Sequence, residues 1–177
     1  MPVKNFASIG GFAVGSTEVF NTEYALKNVS AIHMTSNNFT DATHDKYLTK
    51  RVTDAANNTL QLTLDGTTAL TTNTPPLAAD RVCFIRARVF GQETTNNQYV
   101  YATSFDVIVT TANDGTPTVT ATHENIIKNN PPGQEDWVVT PDAFLIGGAP
   151  YFTFEVKSVT TNSIVKWIGI LDITVVS

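Results

Sequence analysis

The sequence contains few of the features that mark an enzyme, a secreted protein or a membrane protein. It has 177 residues and a single cysteine, so no internal disulfide can form. That cysteine, Cys83, lies in the apolar run Val82-Cys83-Phe84-Ile85, which predicts a small buried side chain. No apolar stretch approaches the roughly 18 residues of a membrane helix, and the amino terminus lacks the apolar segment of a signal peptide. We therefore expect a chain made in a reducing, soluble compartment, without a membrane partner.

Charge is also scarce. Charged residues make up 15% of the chain, against about 25% in typical globular proteins. Threonine and asparagine replace much of the missing charge, and β-branched threonine suits a pleated sheet. A surface of hydroxyl and amide groups also costs little to desolvate against another protein. The net charge is -5 and neither half of the chain is basic, so we expect no nucleic-acid partner.

The chemical motifs of common enzymes are missing. A metal site built from His33, His44 and a carboxylate is conceivable, but the spacing matches no compact ligand motif. Glu135 and Asp136 form an acidic pair, yet neighbours on a strand point to opposite faces and cannot share one substrate. We therefore predict a non-enzymatic protein with no catalytic residues, metal or cofactor.

From residue 59 onward the pattern predicts β-strands. Leu60, Leu62 and Leu64 alternate with polar residues, and a turn follows at Asp65-Gly66. Asn113-Asp114-Gly115 is a strong hairpin signal. Further strands are predicted over 82–90, 99–109, 118–122, 137–139, 151–159 and 164–176. Short strands at this spacing predict an all-β fold, an antiparallel, jelly-roll-like β-sandwich over residues 59–177.

Residues 1–58 lack a clean period of 3.6 or 2.0. We predict that they form an extended N-terminal arm or attachment segment, which buries aromatic residues in a partner. The interface residues predicted there are Phe6, Phe12, Phe20 and Tyr24. The alternative is a short strand pair packed on the main domain. Thr40 to Arg51 could form a helical turn, with Asp41 near its start.

The last strand is apolar on both faces. Val165, Trp167, Leu171 and Ile173 share one face, which predicts a core position for Trp167. The opposite face carries Ile164, Ile168 and Ile170. A strand that is apolar on both faces is buried on both faces. We therefore predict that these isoleucines contact another subunit; the alternative is that the N-terminal arm covers them.

Two tyrosines could serve a different purpose. Tyr99 and Tyr101, on the strand at 99–109, form a possible ligand surface, because exposed tyrosines suit a protein interface or a sugar-binding site. Trp137, in contrast, is predicted to lie in the core.

Several features occur in a characteristic succession. The strand ending at Asp65-Gly66 is followed by a threonine- and asparagine-rich linker and an apolar strand with an Ala87-Arg88 step. The succession continues with an aromatic strand from Tyr101 to Val109 and then with Asp136-Trp137-Val138-Val139. It ends with Val165-Lys166-Trp167-Ile168-Gly169-Ile170-Leu171. In this order, residues 59–177 resemble a β-sandwich domain that recurs in bacteriophage structural proteins, often at the carboxyl end of tail-fibre or tail-associated chains. Thr160-Thr161-Asn162-Ser163 stands where that family usually has a glycine-containing turn.

The resemblance implies a component of the virion, made in the host cytoplasm. The short segment before the sandwich suits a capsid decoration (cement) protein, or a tail or neck accessory, better than a long fibre. The implied partners are the chain itself, as a homo-oligomer and by analogy a trimer, and other virion proteins such as major capsid or tail proteins. The alternative function is a receptor- or carbohydrate-binding module of a phage tail fibre. A hydrolase with an unrecognised site is a third hypothesis.

Overall fold

The fold is all-β, as the sequence predicts. The structure, a computed structural model, describes residues 12–14, 17–20, 29–36, 39–54, 59–133, 136–158 and 164–176. These residues form eleven strands and no helix, and none of them belongs to a helix with the length and apolarity needed to cross a bilayer. The chain divides into two compact units, Met1–Ser30 and Ala31–Ser177.

In the first unit, β1 (Phe12–Val14) and β2 (Thr17–Phe20) pair as an antiparallel hairpin. Phe12 lies opposite Phe20 in its register.

The second unit is a two-sheet antiparallel sandwich. One sheet has six strands in the order β3-β4-β11-β6-β7-β8 and the other has three, in the order β5-β10-β9. The strand bounds are β3 Ala31–Ser36, β4 Phe39–Thr53, β5 Thr59–Gln61, β6 Val82–Glu93, β7 Val100–Thr111, β8 Pro117–Asn130, β9 Val138–Ile146, β10 Ala149–Lys157 and β11 Val165–Val176.

β11 lies inside the six-stranded sheet, between β4 and β6, and pairs with both over its whole length. The pairing with β4 differs from two sequence expectations. Residues 40–51 form strand instead of a helical turn, because their backbone groups complete the ladder of β11. The compact sandwich unit begins at Ala31 and not at residue 59, since β3 and β4 are strands of its larger sheet.

The core lies between the two sheets and is rich in aromatic rings. Phe105 of β7 packs on Phe154 of β10 with 4.8 Å between ring centroids. Trp167 of β11 makes edge contacts with Trp137 and Tyr101 at 5.6 and 5.7 Å. The predicted core positions of both tryptophans are confirmed, because each is 1% exposed.

One glycine makes room for the Trp167 ring. Gly91 of β6 lies directly across from Trp167 of β11, so that the indole covers the glycine backbone. A Cβ atom at position 91 would stand 2.6 Å from a carbon of that ring. The Trp167 Nε1–H donates to Thr53 Oγ1 at 2.9 Å, which fixes the ring's orientation.

Turns join the strands where the sequence predicts them. Gly66 and Gly115 both have positive φ angles, of 82° and 86°. The Asn113-Asp114-Gly115 hairpin connects β7 to β8 as predicted. However, β8 extends to Asn130, beyond the predicted strand at 118–122, so His123 and Glu124 also lie on it.

Candidate interaction face of the six-stranded sheet

The side chains of β11 alternate strictly between two environments. Trp167, Leu171 and Ile173 are buried in the core, whereas Ile168 and Ile170 point away from it and are 47% and 45% exposed. The same alternation runs through β6, where every second residue is buried. The six-stranded sheet therefore has an inner face toward the core and a second face, called here the outer face, toward the surroundings.

The outer face is unusually apolar. Eleven large apolar side chains occupy it, each between 37% and 50% exposed. They are Ile32, Met34, Leu48, Val52, Val82, Phe84, Phe90, Ile108, Ile164, Ile168 and Ile170. The strand register places Ile168 beside Phe90 and Ile170 beside Leu48. The cations Lys50 and Arg88 flank the two isoleucines on their other sides. Contiguous apolar surface of this kind marks an interaction site in soluble proteins.

A line of ion pairs crosses the outer face at right angles to the strands. Lys46, Asp172, Arg86 and Asp106 lie side by side in register on β4, β11, β6 and β7. Lys46 Nζ is 2.7 Å from Asp172 Oδ1, and Arg86 Nε donates to Asp106 Oδ1 at 3.2 Å. His44 Nε2 lies 3.3 Å from Asp172 Oδ1.

The neighbours of Asp172 in this line determine the direction in which its pKa shifts. Partial burial opposes ionisation of its carboxyl group, but the hydrogen bond and positive charge of Lys46 outweigh the burial, with a smaller contribution from His44. The pKa of Asp172 is therefore lowered, and the side chain is a carboxylate at neutral pH. The line is thus an alternating row of charges across the outer face.

The predicted interface isoleucines lie on the outer face, beside residues that sequence reasoning did not select. Ile164, Ile168 and Ile170 are about half exposed there. Leu48 and Val52 of β4 extend the same surface. A signal for them existed: Tyr47-Leu48-Thr49 and Val52-Thr53 are rich in residues that favour strands.

The other predicted interface residues belong to the first unit. Phe12 and Phe20 are paired in its hairpin. Phe6 and Tyr24 lie outside the described residues.

The structure corrects the expectation for Tyr101. Its ring is 2% exposed and packs on Trp167, and its hydroxyl donates to Glu124 Oε1 at 2.8 Å. The reason is the period of the strand, which places Tyr101 on the inward side with Phe105 and Val107. Burial and the neighbouring Glu124 carboxylate raise the pKa of Tyr101. Tyr99 is partly buried and packs against the same core.

The remaining candidate groups have structural partners. His33 Nδ1 hydrogen-bonds Asp45, and His44 Nδ1 lies 2.9 Å from Thr174 Oγ1, so the two histidines are engaged separately. Among the described residues no group of three His, Cys, Asp or Glu side chains could hold a metal ion. Cys83 is buried as predicted, and burial raises the pKa of its thiol.

The chain thus forms an antiparallel β-sandwich whose outer face is rich in apolar side chains and is crossed by a line of ion pairs. No protein-family model matches the chain, and a comparison with curated proteins finds no match. Two solved structures are similar. One is a tailspike protein, gp49, from Acinetobacter baumannii bacteriophage Fri1, a capsular polysaccharide depolymerase, with 15% identity and a TM-score of 0.39. The other is the tailspike protein of Acinetobacter baumannii phage AM24, with 10% identity and a TM-score of 0.34.

The matches cover 80% and 76% of this chain but only 19% and 26% of the two tailspike chains. Both likenesses are too distant to assign a function.

Proposed function

We propose that the chain is a non-enzymatic structural protein of a bacteriophage virion, which acts by packing its outer face against neighbouring subunits. Its place would be that of a capsid decoration (cement) protein or of a tail or neck accessory. The observation that carries the proposal is the row of half-exposed isoleucines on β11, continued by apolar side chains of β4 and β6. The sequence resemblance of residues 59–177 supports the assignment to a virion.

The size of the outer face suits a protein interface. Six strands about 4.8 Å apart, over ten residues that rise about 3.3 Å each, present roughly 800 Å². A stable protein interface buries about 800 Å² on each partner. Covering apolar surface yields about 25 cal/mol per Å², although much of that gain is offset by the loss of translational, rotational and side-chain freedom.

A homo-oligomer is part of the proposal, with other virion proteins, such as major capsid or tail proteins, as further partners. The trimer implied by the resemblance would have three times the chain mass of 19.2 kDa. The carbohydrate-binding alternative has less support, because Tyr101, one of its two predicted ligand residues, is buried.

The test is incorporation into particles. Phage would be grown from a genome that encodes this chain, either unchanged or with Ile168→Lys, and the purified particles analysed by mass spectrometry. Val138→Lys is the matched control, because Val138 is a half-exposed strand residue of the other sheet.

We expect the unchanged chain and the Val138→Lys variant in the particles. The Ile168→Lys variant should be made and folded but missing from them. Purified particles without the unchanged chain would overturn the proposed function.

A further inference from the structure

The outer face carries a charge opposite to that of the whole chain. Its described side chains include six cations, Lys46, Lys50, Arg86, Arg88, Lys128 and Lys166, and two carboxylates, Asp106 and Asp172. These eight described charges sum to +4, whereas the chain as a whole has -5. Subtracting one from the other leaves -9 for the rest of the molecule.

The positive charge is concentrated at one end of the face. Lys46 and Arg86 pair with the two carboxylates. The other four cations, Lys50, Arg88, Lys128 and Lys166, form no ion pair with any described residue. Three of them surround an apolar centre, since Lys50 is the cross-strand neighbour of Ile168, Arg88 of Ile170 and Lys166 of Val52. We call Lys50, Arg88 and Lys166, with these apolar neighbours, the basic end.

The composition of the basic end selects its partner. Burial of the apolar centre brings the surrounding cations close to the partner, so an uncompensated charge there would be costly. A nucleic acid could pair the cations but would leave the aliphatic centre against phosphates. A second copy stacked face to face would set the basic end against either a second basic end or the opposite end, where both carboxylates are already paired. A protein surface that combines carboxylates with apolar side chains satisfies both requirements.

Such a surface exists elsewhere on the same chain. β8 is an edge strand of the six-stranded sheet, and its residues 120–128 are exposed. Ile126 and Ile127 are 52% and 65% exposed. Glu124 lies on the inward side of the sheet, where it accepts the Tyr101 hydroxyl. Asp136 is exposed and precedes Trp137, whose carbonyl oxygen accepts a hydrogen bond from Asn129 of β8 at 3.0 Å. We call these four residues, Glu124, Ile126, Ile127 and Asp136, the β8 edge.

We propose that the basic end of the outer face binds the β8 edge of a second copy of this chain, in a head-to-tail contact. The proposal rests on the proposed function, for which it names one partner of the outer face. Because the two surfaces are different, each copy can use both at once, so that the contact closes into a ring or continues as a filament.

The test compares two variants of the full chain by sedimentation velocity. The face variant carries Ile168→Asp with Arg88→Glu, and the edge variant carries Ile126→Lys with Asp136→Lys. Val138→Lys is the control, and circular dichroism checks that every variant is folded. All of these positions are exposed in the sandwich.

The unchanged chain should form species larger than one chain, with a dissociation constant that rises at least about tenfold between low and high salt. Each variant alone should be a monomer. An equimolar mixture of the two should form a two-chain species, because it contains one intact copy of each surface. A monomeric unchanged chain, or an edge variant that assembles like the unchanged chain, would overturn the inference.

The two proposals can fail separately. If the chain is found in particles but does not self-associate through these surfaces, the head-to-tail contact is wrong and the proposed function stands. If the contact forms but the chain is absent from particles, the reverse holds.

Discussion

Gly91 and Trp167 provide a quantitative test of how the two central strands are joined. A Cβ atom at position 91 would lie 2.6, 2.7 and 3.0 Å from three carbons of the Trp167 ring. Favourable carbon contacts lie at about 3.5–4.0 Å, so in Gly91→Ala the ring must move by roughly 1 Å. It has little room, because it contacts the rings of Tyr101 and Trp137 and donates to Thr53.

The expected cost follows from these restraints. An off-rotamer indole costs about 0.5–1.5 kcal/mol, and a weakened buried hydrogen bond costs about as much again. We expect Gly91→Ala to lower the free energy of unfolding by about 1–3 kcal/mol, the range observed for overpacked cores. A loss of about 2 kcal/mol would lower Tm by about 4–8 °C in a chain of this length.

The assay is urea denaturation followed by circular dichroism, with Trp167→Phe as the second mutation of a double-mutant cycle. Trp167→Phe removes the part of the indole that the new methyl group would meet. In that background the cost of Gly91→Ala should fall to less than about 0.5 kcal/mol, which leaves a large coupling energy between the two positions. Equal costs in both backgrounds, or no cost in either, would refute the packing argument.

Three further predictions concern other parts of the sandwich. The pKa of Asp172 is lowered in the folded chain. Ionised Asp172 therefore stabilises the fold above its unfolded-state pKa, near 3.8, and this stabilisation is lost as the pH falls through the pKa of the folded state. The urea midpoint of the Asp172→Asn variant should thus fall less on acidification than that of the unchanged chain, and parallel curves would contradict this. Cys83 should react with a thiol reagent only after denaturation, because its side chain is 0% exposed; rapid labelling of the folded chain would show that the sheet opens there. A chain without residues 1–30 should keep a cooperative thermal transition. A chain without residues 1–50 should lose it, because that deletion removes most of β4, the partner of β11. A stable 1–50 deletion would mean that β4 is dispensable.

Much of the sandwich could be predicted because alternation along a strand is a local property. The two faces of β6 follow from Cys83, Ile85 and Val89 alternating with Phe84 and Arg86, and the structure has the same division. The same reasoning should have placed Tyr101 inside, since it shares a face with Phe105 and Val107. The prediction of a ligand surface gave more weight to the chemistry of tyrosine than to the period of the strand, and it is the period that determines which face Tyr101 occupies.

Other features depend on pairing between distant parts of the chain. Residues 40–51 contain five charged residues and no clear alternation, and they form a strand because β11 supplies their hydrogen-bond partners. The close fit between Gly91 and Trp167 likewise exists only in the register of β6 and β11. Charge counted along the chain hides the positive outer face, because its six cations come from β4, β6, β8 and β11. These properties follow from the fold and have no local signal.

The central claim is that another subunit covers the outward side of the central strand β11. Imaging of the chain within its assembled particle, at a resolution that separates side chains, tests this most directly. We predict that Ile168, Ile170 and Phe90 will lie against a neighbouring chain. An assembled structure in which the same molecule seals both sides of β11, or in which the outer face remains open to solvent, would contradict the account.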